Sequence, residues 1–235
     1  MAVAATETSV LREDSPGLWR FDGWGPAWVT GGVAGRPADL TRLSRHLPKT
    51  ARLVQADQVH GSSIAVIQHV PVDGPPVAGC DALLTSLRKT ALVIRTADCV
   101  PLFFLDPVRR VIGIAHAGWR GLAAGLPLKL LAMLRHAYQS RPQDVRVAIG
   151  PAIRSCCYDV GPEFAPRFGS FVQERAGRRT CDLIGAAIEQ LQRGGIHQAR
   201  ITDTQQCTAC AGGPWFSIRR EGQGTGRLLS FLMIR

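Results

Sequence analysis

Lysine is scarce in this chain. Lys49, Lys89 and Lys129 are the only three, so arginine carries nearly all of a formal net charge of +10. No basic run of five or more residues and no low-complexity arm occurs. Charge spread this thinly reads as a solvated face; it argues against nucleic-acid binding as the function and suits an anionic small substrate or a phosphate co-substrate. No window reaches the roughly 18 continuous apolar residues of a membrane helix. The opening residues, MAVAATETSVLREDS, lack a basic segment followed by an apolar core, so neither a secretory signal nor a membrane association is expected, and a cytoplasmic location is. There is no G-x-G-x-x-G after a strand and no P-loop, which removes two common phosphate cradles. No internal repeat and no linker is visible. The seven cysteines, Cys80, Cys99, Cys156, Cys157, Cys181, Cys207 and Cys210, are odd in number, which argues against a disulfide framework and for a reducing compartment.

What is present is a chain of 235 residues, 46% hydrophobic, long enough to bury a full core as one domain over 1–235. Apolar runs predict strands at 51–56, 63–68, 81–85, 90–96, 101–105, 110–115, 145–149 and 199–203, with another opening at Trp19. A final antiparallel pair is predicted from 214–219 and 228–234 across a glycine-rich turn. Helical spacing marks 37–47, a segment from Gly121 to about Ser140 interrupted near Pro127, and 161–176 with a break at Pro166. Asp182 is a suitable N-cap for a helix over 183–193, closed by Gly194-Gly195. Residues 23–35 and 69–79 read as glycine- and proline-rich loops. Strands outnumber helices and come in clusters. The expected class is therefore α/β of the α+β kind, with mixed, largely antiparallel sheets and helices packed outside.

The chain is organised around 94–121. Two short apolar strands here each deliver a metal-ligand type at a strand end: Cys99 after the first, His116 after the second. His60, in Gln58-Val59-His60-Gly61, is a third. One cysteine and two histidines form a zinc set with one tetrahedral position open, which favours catalysis over scaffolding. The same trio could hold copper, or Cys99 could act as a nucleophile with His116 as its base, as in a Cys-His hydrolase. Asp98 is read as a general base or as a partner orienting a histidine, against a plain strand-end turn residue. Arg120 could hold a phosphate or carboxylate; otherwise it makes a surface salt bridge. Gln58, two residues before His60, is a candidate substrate contact. His46 is read as a surface or packing residue. Cys207-x-x-Cys210 is a single pair where zinc sites ordinarily show two, and it is read as structural or incidental; Cys156, Cys157 and Cys181 show no partner pattern and are read as packing.

Four segments taken together resemble one family: Gln58-Val59-His60-Gly61, Thr96-Ala97-Asp98-Cys99-Val100-Pro101, Ala115-His116-Ala117-Gly118-Trp119-Arg120-Gly121 and Ile149-Gly150-Pro151-Ala152-Ile153. In this order and spacing they resemble the YfiH/YlmD laccase-domain family, known as multicopper polyphenol oxidases and later as purine nucleoside phosphorylases. Asp182-Leu183, Cys207-Thr208 and Phe216-Ser217-Ile218-Arg219-Arg220 look like its later motifs, so the likeness covers about 51–235. It implies zinc ligands at His60, Cys99 and His116; catalysis is expected from these three together with Asp98. It also implies phosphorolysis of adenosine, inosine and methylthioadenosine, adenosine deamination, or, on the older assignment, copper-dependent polyphenol oxidation. The partners implied are a purine nucleoside and phosphate; oligomeric state is left open. Residues 1–50 are the divergent part: at 28–35, Trp-Val-Thr-Gly-Gly-Val-Ala-Gly stands where the family has a histidine-containing stretch. A metal-binding protein without turnover is the reading from another functional class.

Overall fold

A computed structural model describes residues 11–70 and 74–235. Most of the N-terminal stretch read for a signal, and 71–73 of the predicted 69–79 loop, lie outside the described residues. The chain opens with β1 (Leu11–Ser15), β2 (Leu18–Phe21), β3 (Val29–Ala34), α1 (Leu40–Arg45), β4 (Arg52–Gln55) and β5 (Ile64–Ile67). It continues with β6 (Ala82–Thr85), β7 (Thr90–Thr96), β8 (Val100–Asp106), β9 (Val111–Ala117), α2 (Trp119–Ala123) and α3 (Leu126–Tyr138). After β10 (Arg146–Ile149) come α4 (Ala165–Phe168), β11 (Val172–Arg175), β12 (Arg178–Cys181) and α5 (Leu183–Arg193). The last elements are β13 (Ile201–Asp203), α6 (Ile218–Glu221) and β14 (Leu228–Ile234).

Two six-stranded sheets face one another. The first runs β1-β2-β3-β14-β7-β4 and the second β13-β10-β8-β9-β6-β5; β11 and β12 form a separate hairpin. Pairing is antiparallel except at β4–β7, β5–β6 and β10–β13. The class is thus the mixed α/β arrangement expected from the sequence.

Alternation along the central strands assigns each face. In β7, Leu92 and Ile94 join Phe103, Leu105, Ile112 and Ile114 of the second sheet in a core between the sheets. Ala91 and Val93 point the other way, against Leu43 and Leu47 around α1. Leu102 and Phe104 of β8 face the opposite side, under Leu130, Leu134, Ala187 and Leu191 of α3 and α5. The layers are therefore helix, sheet, sheet, helices, and strands covered on both faces read as continuous apolar runs. Asp182 caps α5 as its sequence implies, accepting from the Gly185 N–H at 2.9 Å. Asp182→Ala is expected to cost about 1 kcal/mol of stability, visible as a lower Tm with no change in metal content.

Three segments differ from the sequence reading. Residues 29–34 are not loop but β3, an interior strand. Its glycines serve close approach rather than a turn: a Cβ on Gly32 would lie 2.0 Å from the Trp19 carbonyl oxygen. Residues 161–176 are not one helix. Pro162 and Pro166 reduce the segment to single turns, and the chain then enters the β11–β12 hairpin through Ala176 and Gly177. Both have positive φ (51° and 76°), the requirement of a type I′ turn. Residues 214–219 form no strand. Ser217 caps the short α6, and β14 pairs instead with β3 and β7, on which its apolar side chains have two covered faces.

Candidate metal centre

The fold carries three chain segments to one end of the sheets. Cys99 sits immediately before β8. His116 is the penultimate residue of β9 rather than following it, on the same side of the strand as Ile112 and Ile114. His60 comes from the loop joining β4 to β5. Their ligand atoms all lie within 4.8 Å of one another, and the two imidazoles meet edge to face with centroids 4.8 Å apart. Of the site residues named from sequence, these three converge.

The residue that assembles them is Asp81, which sequence reading placed only as the start of a strand. Its fully buried carboxylate contacts His116 Nδ1 at 2.8 Å and accepts the backbone N–H groups of His60 at 3.0 Å and Gly61 at 2.7 Å. Asp81 thereby leaves His116 Nε2 as the nitrogen available toward Cys99 and holds the His60 loop in place. That loop needs holding, because Gln58 and His60 have φ of 66° and 59°, a region that costs a non-glycine residue about 1–3 kcal/mol. Asp98, before Cys99, is similarly twisted at φ 96°.

Electrostatics follow from this packing. Burial alone would raise the Cys99 thiol, but hydrogen bonds and charge from His116 and His60 hold it at about 6. Burial would lower His116, yet Asp81 and Cys99 raise it to about 9. The Asp81 carboxyl is pushed up by burial and brought net below its ordinary range by His116 and the two backbone donors. Carboxylate, imidazole and thiol form one charged chain, with the thiolate favoured as a ligand or nucleophile requires. Gly118 keeps space open beside it: a Cβ there would lie 3.2 Å from Cys99 Sγ and 3.4 Å from His60 Cδ2. Gly118→Ala is expected to leave folding intact but weaken metal binding about tenfold, the low end for disturbed ligand orientation, read by competition with a chromophoric chelator.

The remaining sequence candidates have other engagements. Asp98 does not face a histidine: its two oxygens accept the Thr208 hydroxyl at 2.7 Å and the Arg219 N–H at 2.8 Å, so it ties the 208 and 219 segments to the residue before Cys99. Gln58 is occupied by backbone. Its amide accepts the Arg95 N–H at 2.7 Å and donates to the Arg95 carbonyl at 2.5 Å, continuing the end of β7 like one more strand residue. Arg120 is exposed, its guanidinium 4.5 Å over the Trp119 ring. Tyr158 and Arg219, to which sequence reading gave no role, stand close by. Burial pushes the Tyr158 phenol up and the Cys99 and Asp98 charges add to this, while Arg219, stacked 5.0 Å over its ring, opposes. The only sequence signal for Arg219 was its place in the Phe-Ser-Ile-Arg-Arg motif.

Among the described residues no helix is long and apolar enough to cross a membrane. The model of the family described as multi-copper polyphenol oxidoreductase laccase matches residues 37–235. A purine nucleoside phosphorylase YlmD of Geobacillus stearothermophilus is 34% identical over 196 residues, 77% of this chain and 72% of the relative. Adenosine deaminase RL5, from an unknown prokaryotic organism, is 31% identical over 191 residues, 74% of this chain and 72% of that protein. The crystal structure of YlmD from Geobacillus stearothermophilus superposes with a TM-score of 0.89 at 27% identity, covering 97% of this chain and 99% of that one. The motif strings at His60, Cys99 and His116, the two facing sheets and the matched length agree: this chain belongs to the multi-copper polyphenol oxidoreductase laccase family.

Proposed function

We propose that this protein is a zinc-dependent purine nucleoside enzyme, acting by phosphorolysis of adenosine, inosine or methylthioadenosine, by deamination of adenosine, or by both. The observation that carries the reading is the convergence of His60, Cys99 and His116, with His116 held from behind by Asp81. Two imidazoles and one thiolate suit zinc with a position left for water or phosphate. The copper of the family description fits the donor set less well. A multicopper centre needs many histidines; the chain has six, and only His60 and His116 fall in a candidate ligand group among the described residues. The relatives named for nucleoside phosphorolysis and adenosine deamination point the same way.

Bound at these three residues, zinc would supply Lewis acidity to an oxygen nucleophile. The chain's own groups do the rest. Asp81 keeps the His116 ring in one orientation. Gly118 leaves room above the sulfur. Arg120, exposed and four residues after His116, is the candidate for holding a phosphate. In phosphorolysis a phosphate oxygen bonds to the ribose anomeric carbon as the bond to the purine nitrogen breaks, and the base leaves with a proton. In deamination water adds at the purine carbon bearing the amine, and ammonia leaves. Asp98, bonded to Thr208 and Arg219, serves as a positioning residue rather than as the proton carrier.

Incubation with adenosine, with and without phosphate, followed by chromatography, tests the reading. Adenine with ribose 1-phosphate, or inosine, supports it. Zinc-loaded protein that converts no nucleoside sinks it, and would leave the Cys-His hydrolase or non-catalytic readings. Turnover of a phenol only after copper loading would favour the oxidase.

A further inference from the structure

Outside the centre just described, four cysteines gather at one point. Cys156 and Cys157 come from the loop after β10, and Cys207 and Cys210 from the loop after β13, 51 and 54 residues from Cys156 along the chain. The Sγ separations are 3.7 Å for 156–157, 3.7 Å for 156–207, 3.8 Å for 156–210 and 3.7 Å for 157–210. All four sulfurs lie within 4.8 Å of one another. A tetrahedron with metal–sulfur bonds of ~2.3 Å has an edge of about 3.8 Å. The group therefore has the dimensions of a single tetrahedral ion. A disulfide would need two of these sulfurs at about 2.05 Å, and all seven cysteines are free thiols. A four-iron cluster binds each cysteine to a different iron and a two-iron cluster binds them two to an iron, so in either the four sulfurs do not all lie within one tetrahedron edge of each other. The sequence readings, packing for Cys156 and Cys157 and a structural or incidental role for Cys207 and Cys210, leave the gathering unexplained: Cys156 and Cys210 are exposed.

We propose that Cys156, Cys157, Cys207 and Cys210 form a second, closed metal site that holds one tetrahedral divalent ion, with zinc the best match, in a structural role. All four positions are filled by protein, so no position is left for substrate, in contrast to the open set at His60, Cys99 and His116. Binding releases the thiol protons to solvent and leaves a tetrathiolate complex of charge −2. The surroundings suit such a complex. Arg220 donates to the carbonyls of Thr208, Cys210 and Trp215 and shapes the loop that carries two of the ligands. The two loops also meet through the Ala152–Cys207 bridge. The ion would fasten the loop after β10 to the loop after β13, neither of which has another covalent tie.

Metal content of the untagged, full-length protein, purified without chelator, tests this independently of any nucleoside activity. Wild type is expected to hold two equivalents per chain. Cys157→Ser/Cys210→Ser is expected to hold one, and Cys99→Ala one. The two single-site proteins differ after cobalt substitution. Cys99→Ala should show charge transfer of four-thiolate intensity, and the double variant that of one thiolate. X-ray absorption on zinc-loaded wild type needs no variant and should give an average of more than two sulfur neighbours per ion. The inference is overturned by one equivalent in wild type that Cys99→Ala abolishes, by an average of one sulfur per ion, or by fewer than seven titratable thiols in the denatured, metal-free protein, which would mean a disulfide.

Discussion

Cys99→Ala is expected to remove one equivalent of metal and to lower nucleoside turnover more than about a hundred-fold, beyond the 10–100-fold typical of losing an outer-layer partner. The effect should be chemical rather than structural. Cys99 is only partly exposed and its replacement by alanine is expected to cost about 0.5–3 kcal/mol, the ordinary range for a point substitution, too little to unfold the chain. Elemental analysis, kinetics and thermal unfolding of the same preparation separate the two contributions. Undiminished metal content would show that the thiolate is no ligand. A lost activity with metal retained would instead favour Cys99 as a nucleophile.

Asp81→Asn is expected to damage both the site and the fold. The carboxylate faces one imidazole nitrogen and two backbone N–H groups. An amide of the same shape has one acceptor atom, so its NH₂ must face a donor. A buried donor left without a partner costs about 1–3 kcal/mol, and breaking a buried charged pair about 3–5 kcal/mol. A loss near 3 kcal/mol is expected, where the two ranges meet. For a chain of this size that lowers Tm by about 6–12 °C. The single amide oxygen can serve either His116 and His60 or Gly61, so the His60 loop loses one of the two hydrogen bonds that offset its left-handed backbone, and the charge that orients His116 is gone. Metal affinity should fall about 10–100-fold, measured by chelator competition on the metal-free protein. Unchanged affinity would mean that Asp81 does not orient the ligands.

Much of the fold was legible because the local signal and the tertiary demand agree. The run Thr90–Thr96 is apolar on both faces because both faces are covered, and Asp182 is followed by a periodic helix because its carboxylate caps it. Legibility failed where those demands diverge. Gly31 and Gly32 resemble turn residues, but they serve a strand that needs small side chains at a close crossing. The 214–219 segment has strand-forming residues whose pairing partner, β14, is taken by two other strands. At the site, His60, Cys99 and His116 could be named because metal-ligand types at strand ends stand out. Asp98 and Gln58 carry equally suggestive side chains, yet both are engaged by neighbours that only the folded chain supplies.

By itself the amino-acid sequence determined which side chains were available for chemistry and where strands and helices would run, since both depend on residue type and short-range spacing. It also carried the motifs by which the family could be named. Only the tertiary structure decided who faces whom. Asp81 lies 35 positions before His116, and Cys156 lies 54 positions before Cys210. Neither partnership has a signature in spacing, because each is set by strand register and loop path. A carboxylate that looked like a strand opening thus became the support of one metal centre, and four thiols read from sequence as packing or incidental acquired the dimensions of another.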